Sequence, residues 1–257
     1  MSNAKNYIAI DLGASSGRVI LGAVADGKIN LEELHRFENG PIENAGCLQW
    51  DFARLTDEIE AGLAKAVKHT KGKIESIGVD SWGVDFGLID SSGRLLENPY
   101  HYRDKRTDNM MEKVFEVVPR KTVYDITGIQ FMQINSLYQL VSQKYQRPDF
   151  LKKADKLLFM ADLVSYHLSG AVFSEYTLAS TSQLMDMNKG KWAEELFEKL
   201  SLPLNIMSPI VQAGTAVGRL KKQIADKLGC SQIPVIAVGS HDTACAVAAV
   251  PANFQSQ

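Results

Sequence analysis

The chain has 257 residues, 45% of them apolar and 23% charged, with a formal net charge of −2. That length suffices for a core of one large domain or two smaller ones, and the charge lacks the basic surplus of a nucleic-acid binder. No apolar run reaches the roughly 20 residues of a membrane span, the N-terminus has no secretory apolar stretch, and Cys47, Cys230 and Cys245 are too scattered for a disulfide framework or a CxxC metal site; a cytoplasmic globular protein with no membrane or nucleic-acid partner is expected.

Residues 1–6 are expected to be a disordered N-terminus or a cloning remnant. Three strands then follow in quick succession, at 7–10, 18–24 and 29–37. Asp26-Gly27 between the last two is a strong hairpin signal. Strand–turn–strand–turn–strand predicts an antiparallel meander, not the βαβ opening of a dinucleotide-binding domain. Over 51–68 the apolar residues Phe52, Leu55, Ile59, Leu63 and Val67 recur at helical spacing. A strand over 74–79 runs into Asp80-Ser81-Trp82-Gly83, and 84–89 is expected to pair with it. The middle, 104–200, is mostly helical by pattern, with amphipathic segments near 106–118, 136–146, 160–169 and 191–200. A helix over 220–228, a strand over 234–238 and an Ala-rich helix over 243–250 complete the series. The predicted class is α/β with a mixed sheet flanked by helices.

Four places carry chemistry. Residues 11–18 (DLGASSGR) lie between the first two strands. Asp11 ends an apolar strand, where a carboxylate is expensive to bury without compensation. Gly13 and Gly17 are expected to permit a tight turn, and successive amides in such a turn form an anion-binding concavity. A Walker loop would need GxxxxGK[ST] and a following helix, and here an extended segment follows. A plain hairpin with a polar loop is the competing reading.

Residues 238–243 (VGSHDT) mark a strand-to-helix junction. Asp242 in the first helical turn would stay ionised in the helix dipole and would be able to accept a hydroxyl proton. His241 and Thr243 flank it; a simple helix cap at Asp242 or Ser240 is the alternative. Residues 80–85 (DSWGVD) interrupt apolar strands with two carboxylates, an indole for stacking on a sugar, and Gly83 for close ligand approach. Tyr100, His101, Tyr102, Arg103 and Asp104 form a fourth cluster, read either as a sugar-contacting loop or as an ion-paired helix start. Cys245, one helical turn after Asp242, is expected near the same cleft, either as a reactive thiol or as a small buried residue.

Taken in this order, the motifs resemble the N-terminal domain of the FGGY carbohydrate kinases. The matching strings are 9–18 (AIDLGASSGR), 33–40 (ELHRFENG), 80–85 (DSWGVD), 102–104 (YRD), 127–131 (TGIQF), 135–140 (NSLYQL) and 240–244 (SHDTA). The similarity runs from about residue 7 to 252 and is strongest with the branch that phosphorylates L-rhamnulose. It implies a ribonuclease-H-like domain of the actin and hexokinase superfamily, using ATP and Mg²⁺. By this resemblance Asp242 is the catalytic base. Ala14, Ser15, Ser16, Gly17 and Arg18 hold the ATP phosphates, and Asp11 lies near the metal. Gly83, His241, Asp242 and Thr243 bind sugar, with Asp80, Trp82, Arg103 and Phe131 beside the cleft.

Kinases of this kind have two domains, and the chain contains no Gly-Gly dipeptide of the sort the second one carries. Residues 253–257 are therefore expected to be a truncated linker toward a missing C-terminal domain, and the isolated piece is expected to lack useful kinase activity. Kinases for L-fuculose or L-xylulose, and a non-catalytic actin-like ATP-binding module, are the alternatives.

Overall fold

Three strands open the fold as the sequence predicts. In the computed structural model, which describes residues 4–252, β1 (Lys5–Leu12), β2 (Ser16–Ala25) and β3 (Lys28–Glu38) form an antiparallel meander. Asp26 and Gly27 take φ of 50° and 72°, the left-handed pair that matches strand twist in a two-residue hairpin turn. Lys5 and Asn6, expected outside the domain, begin β1 instead, and the Asn6 side chain donates to Lys73 O at 2.8 Å. Residues 1–3 and the expected linker at 253–257 lie outside the described part.

The remaining elements, in order, are β4 (Pro41–Asn44), β5 (Cys47–Trp50), α1 (Phe52–Thr70), β6 (Ser76–Ser81), β7 (Phe86–Ile89), α2 (Met110–Val117), α3 (Arg120–Thr127), α4 (Ser136–Gln146), α5 (Pro148–Leu151), β8 (Lys156–Phe159), α6 (Met160–Ser169), β9 (Ser174–Glu175), α7 (Tyr176–Thr181), β10 (Met185–Asp186), β11 (Lys191–Trp192), α8 (Glu194–Lys199), β12 (Ile210–Val211), β13 (Ala216–Arg219), α9 (Lys222–Leu228), β14 (Pro234–Ile236) and α10 (Asp242–Ala248). No helix among the described residues is long and apolar enough to cross a membrane.

The main sheet has the order β13-β14-β6-β1-β2-β3. β6 is parallel to both β1 and β14, while β1, β2 and β3 alternate, which is the expected ribonuclease-H-like arrangement. α1 starts on Asp51, whose carboxylate accepts the Arg54 amide at 3.1 Å, an N-cap bond that satisfies one orphan donor of the first turn. Its predicted apolar stripe, Leu55, Ile59 and Leu63, is buried against the sheet, each side chain contributing about 1.5–3 kcal/mol. Gly62 makes that approach possible: a Cβ there would sit 2.4 Å from Val19 Cγ2.

One pairing differs from expectation. β7 does not pair with β6; it pairs antiparallel with β8, Phe86 opposite Phe159. Both edges of β6 are already taken by β1 and β14, so no ladder remains for β7. β8 itself was hidden in a stretch that reads as helical, because a short, fully buried apolar run carries no period that separates strand from helix.

The pairing also aligns the carboxyl ends of three chain segments. Asp11 on β1 stands opposite Asp80 on β6, and Ser81 bridges to His241 just beyond β14. Ligands in open α/β sheets collect at such ends.

Candidate active site

The turn after β1 is closed by its own backbone and by Asn39. Gly13 N donates to Ser16 O at 2.9 Å. Asn39 Nδ2 donates to Gly13 O at 2.8 Å and Asn39 N to Ser15 O at 3.0 Å. The amides of Ala14 and Ser15 have no acceptor among the described residues, which leaves donors free for an anion. Neither Gly13 nor Gly17 has a positive φ, so the tight-turn explanation for them does not hold. Gly17 is needed for space: a Cβ there would lie 2.2 Å from Phe37 Cζ.

Asp11 faces across the meander to Arg18, with Oδ2 and Nη2 2.9 Å apart and both side chains about one-third exposed. A pair this open contributes little stability, and its effect is to hold a cation and a carboxylate beside the turn. Asp80, on the adjacent strand, is pushed up to about 7 by burial first, then by the Asp11 and Asp242 charges. A concentration of negative charge that raises the proton affinity of one carboxyl suits a divalent cation. Among the described residues no group of three or more His, Cys, Asp or Glu is placed to hold a metal unaided. Mg²⁺ bound with a nucleotide needs only one or two carboxylates, its other ligands being phosphates and water, and Asp11 and Asp80 fit that requirement.

Beside this cluster lies a cleft of about 540 Å³ whose walls include Ala14, Trp82, Gly83, Val84, Ile129, Met132, Ile134, His241 and Asp242. Apolar side chains dominate it. Trp82 is held rather than loose: Asp85 Oδ2 accepts the indole N–H of Trp82 at 3.0 Å, that of Trp50 at 2.7 Å and the Tyr102 amide at 3.2 Å. The two indoles stack with centroids 4.0 Å apart. Val84, also on the cleft wall, sits at φ 70°, which for a β-branched residue costs on the order of 1–3 kcal/mol. Its carbonyl is anchored by Ser136 Oγ at 2.6 Å.

Asp242 is the first residue of α10 and is half exposed. Its Oδ1 accepts the Thr243 amide at 2.6 Å and the Thr243 hydroxyl at 3.1 Å. His241 Nε2 lies 3.4 Å from the same oxygen. Burial lowers the His241 pKa, against the pull of Asp242 and Glu175, so the ring is neutral near pH 7. Asp242 Oδ2 accepts no bond among the described residues and is free for a substrate hydroxyl.

The structure thus brings Ala14, Trp82, Gly83, His241 and Asp242 to one cleft, with Asp11, Asp80 and Arg18 at its edge. Thr243 touches Asp242 but does not line the wall. Arg103 is exposed and lies over the Tyr102 ring, 5.4 Å from its centroid. Phe131 packs edge-on against Phe115 at 5.2 Å and under Arg120, away from the cleft. Cys245 Sγ donates to Gly239 O at 2.6 Å, and partial burial pushes its thiol up to about 11, so the reactive-thiol reading does not fit; the residue is half-buried rather than buried. Residues the motifs did not single out, Asn39, Val84, Ile129, Met132, Ile134 and Thr181, support or line the site. Asn39, Val84 and Ile129 lie inside matched strings, but their spacing gives no sign of a role.

The family model described as "FGGY family of carbohydrate kinases, N-terminal domain" matches residues 6–249. A rhamnulokinase of Bacteroides thetaiotaomicron is 45% identical over 248 residues, covering 96% of this chain and 51% of its own. A rhamnulokinase of Ligilactobacillus salivarius is 39% identical over 251 residues, covering 98% and 51%. The chain therefore spans about half the length of these curated relatives. Among solved structures, a ligand-bound xylulose kinase from Lactobacillus acidophilus superposes with a TM-score of 0.82 at 19% identity, over 91% of this chain and 48% of that one. A Plasmodium falciparum glycerol kinase with ADP gives 0.73 at 17%, over 91% and 48%. Identities this low speak for a common fold alone. Together with the sheet topology and the cleft, the family match over nearly the whole chain establishes that it belongs to the FGGY carbohydrate kinases, as an N-terminal domain.

Proposed function

We propose that this domain is the base-bearing half of an ATP-dependent kinase that phosphorylates L-rhamnulose at O1, giving L-rhamnulose 1-phosphate and ADP. One observation carries the reading: an anion-ready turn at 13–16, a free carboxylate oxygen on Asp242 and an apolar-walled cleft meet at one end of the sheet. Phosphoryl transfer asks a protein chiefly to position groups and stabilise charge. Asp242 Oδ2 takes the proton of the sugar's primary hydroxyl, whose oxygen then forms the bond to the γ-phosphorus as the bond to ADP breaks. The amides of Ala14 and Ser15, with Ser16, Gly17 and Arg18, hold phosphate oxygens. Asp11 and Asp80 are the carboxylates that would hold Mg²⁺, which would supply charge neutralisation to the phosphates.

Trp82, Gly83 and His241 shape the sugar side. Trp82, Val84, Ile129, Met132 and Ile134 offer apolar surface where a fully hydroxylated sugar would bury unpaired hydroxyls, which favours a deoxy sugar with a methyl end. The adenosine pocket is assigned to a further domain of the whole protein. In support, α10 buries none of its residues, and Val247, Ile29 and Leu31 are exposed.

The test is kcat/KM of the full-length protein for L-rhamnulose, L-fuculose and L-xylulose, with Asp242→Asn as control. L-rhamnulose is expected to be preferred. A general base contributes about 10²–10⁴-fold, so Asp242→Asn should lose at least 100-fold while the unfolding midpoint stays put. A preference for another ketose removes the substrate assignment, and near-wild-type turnover of Asp242→Asn removes the base.

A further inference from the structure

A buried carboxyl group outside the cleft hydrogen-bonds to the loop that carries Asp242. Glu175 closes the short strand β9, begins α7, and has no solvent exposure. Its Oε2 accepts the Ser240 amide at 3.1 Å, the Thr177 amide at 2.8 Å and the Thr177 hydroxyl as hydrogen-bond donors. That hydroxyl oxygen in turn accepts the His241 amide at 3.1 Å. One carboxylate oxygen therefore fixes two consecutive amides, the first directly and the second through Thr177. They are the two amides immediately before Asp242.

The opposite side of the loop is tied as well. Ser240 O accepts the Ser81 amide at 2.9 Å, and Gly239 O accepts the Cys245 thiol. Segment 239–241 is thus clamped between β6, α10 and Glu175, while Asp242 itself makes only local bonds to Thr243. The direction of the Asp242 side chain is set by the backbone, and the backbone is set by these clamps. Glu175 is the only carboxyl group among them, and its Oε2 alone gathers three of the donors.

Burying this carboxylate has a visible penalty. Its Oε1 is buried with no partner, and the neighbouring Asp162, also fully buried, has its carboxyl held well above the usual range by desolvation. Beyond capping α7 through the Thr177 amide, the same oxygen also holds the Ser240 amide, 65 residues downstream.

We propose that Glu175, acting with Thr177, is a positioning residue: it sets the 240–241 backbone so that Asp242 Oδ2 meets the substrate hydroxyl. This rests on the reading of Asp242 as the base. Misplacing a reacting group by about 1 Å costs roughly 100-fold in rate.

The experiment measures single-turnover phosphoryl transfer by the full-length protein, with MgATP and whichever of L-rhamnulose, L-fuculose and L-xylulose it phosphorylates fastest. Glu175→Ala is expected to slow the step about 100-fold with KM for MgATP unchanged. Thr177→Val, which removes only the link to His241, should slow it about 10-fold. Glu175→Gln keeps an oxygen for Ser240 and should recover most of the rate. A double variant of Glu175→Ala with Asp242→Asn should run within about 3-fold of Asp242→Asn alone, because residues acting through one another are not additive.

If Glu175→Ala does not fold, Thr177→Val alone and paired with Asp242→Asn gives the same comparison. A multiplicative loss in either double variant, or an unchanged rate in Thr177→Val, overturns the proposal while leaving Asp242 as base. A wild-type rate in Asp242→Asn, or no phosphorylation of any of the three ketoses, removes the reading beneath it and the proposal together.

Discussion

Asp85 offers a sharp physical test because its carboxylate is fully buried yet fully committed. Oδ2 accepts Trp50, Trp82 and the Tyr102 amide, and Oδ1 accepts Gln139 Nε2 at 2.8 Å. Burial nevertheless outweighs these four donors and the Arg106 charge, and pushes the carboxyl from 3.8 to about 6. Each tenfold in proton affinity is worth about 1.4 kcal/mol, so the fold disfavours the ionised form by about 3 kcal/mol.

Folded Asp85 holds its proton more tightly than the unfolded chain does. Its contribution is therefore greatest below about pH 4 and is lost as the pH rises through about 6. Asp85→Asn cannot ionise. With its carbonyl toward the indoles, its amide group meets Gln139 Nε2, and Gln139 cannot flip without losing the Arg106 Nη2 bond to its Oε1 at 2.6 Å. That clash adds a constant offset and no pH slope.

The assay is urea denaturation of both proteins between pH 4 and 7.5, read by the fluorescence of Trp50 and Trp82. The stability of the wild type minus that of Asp85→Asn should fall by about 2.4 kcal/mol from pH 4 to 7. Groups common to both, such as Asp80 and Asp162, cancel in the difference. A difference that is flat within about 1 kcal/mol over this range would refute the account.

Gly17→Ala should destabilise by about 1–3 kcal/mol through overpacking, since its Cβ would strike the Phe37 ring. Thermal unfolding measures it, and partial recovery is expected when Phe37→Leu is added. Gly83→Ala places a methyl 3.1 Å from His241 Nε2 and 3.5 Å from Thr181 Oγ1. It should raise KM for the sugar several-fold with an unchanged unfolding midpoint, and an unaltered KM would take Gly83 out of the cleft wall. Cys245, with its thiol pushed up to about 11, should react far more slowly with iodoacetamide at pH 7.5 than a free thiol. Rapid labelling of Cys245, followed by mass spectrometry, would contradict the bond to Gly239 O.

The amino-acid sequence alone was enough for the meander, for α1 and for the order of motifs, because each rests on neighbours in the chain. Alternation sets a strand, Asp26-Gly27 sets a hairpin turn, and three- and four-residue spacing sets a helix face. The strings at 11–18, 80–85 and 240–244 could be read for the same reason.

The tertiary structure decided what depends on partners far apart in sequence. β7 pairs with β8 because β1 and β14 occupy β6. Phe131 and Arg103 do not line the cleft, while Ile129, Met132 and Ile134 do, and only tertiary packing, such as that of Phe131 on Phe115, chooses between such neighbours. Gly17 and Gly62 are small because of Phe37 and Val19, not because of any local turn. Glu175 has a local partner in Thr177, two residues on, but the contact that matters lies 65 residues downstream at Ser240. A buried charge takes its meaning from what surrounds it, and the surroundings exist only once the chain has folded.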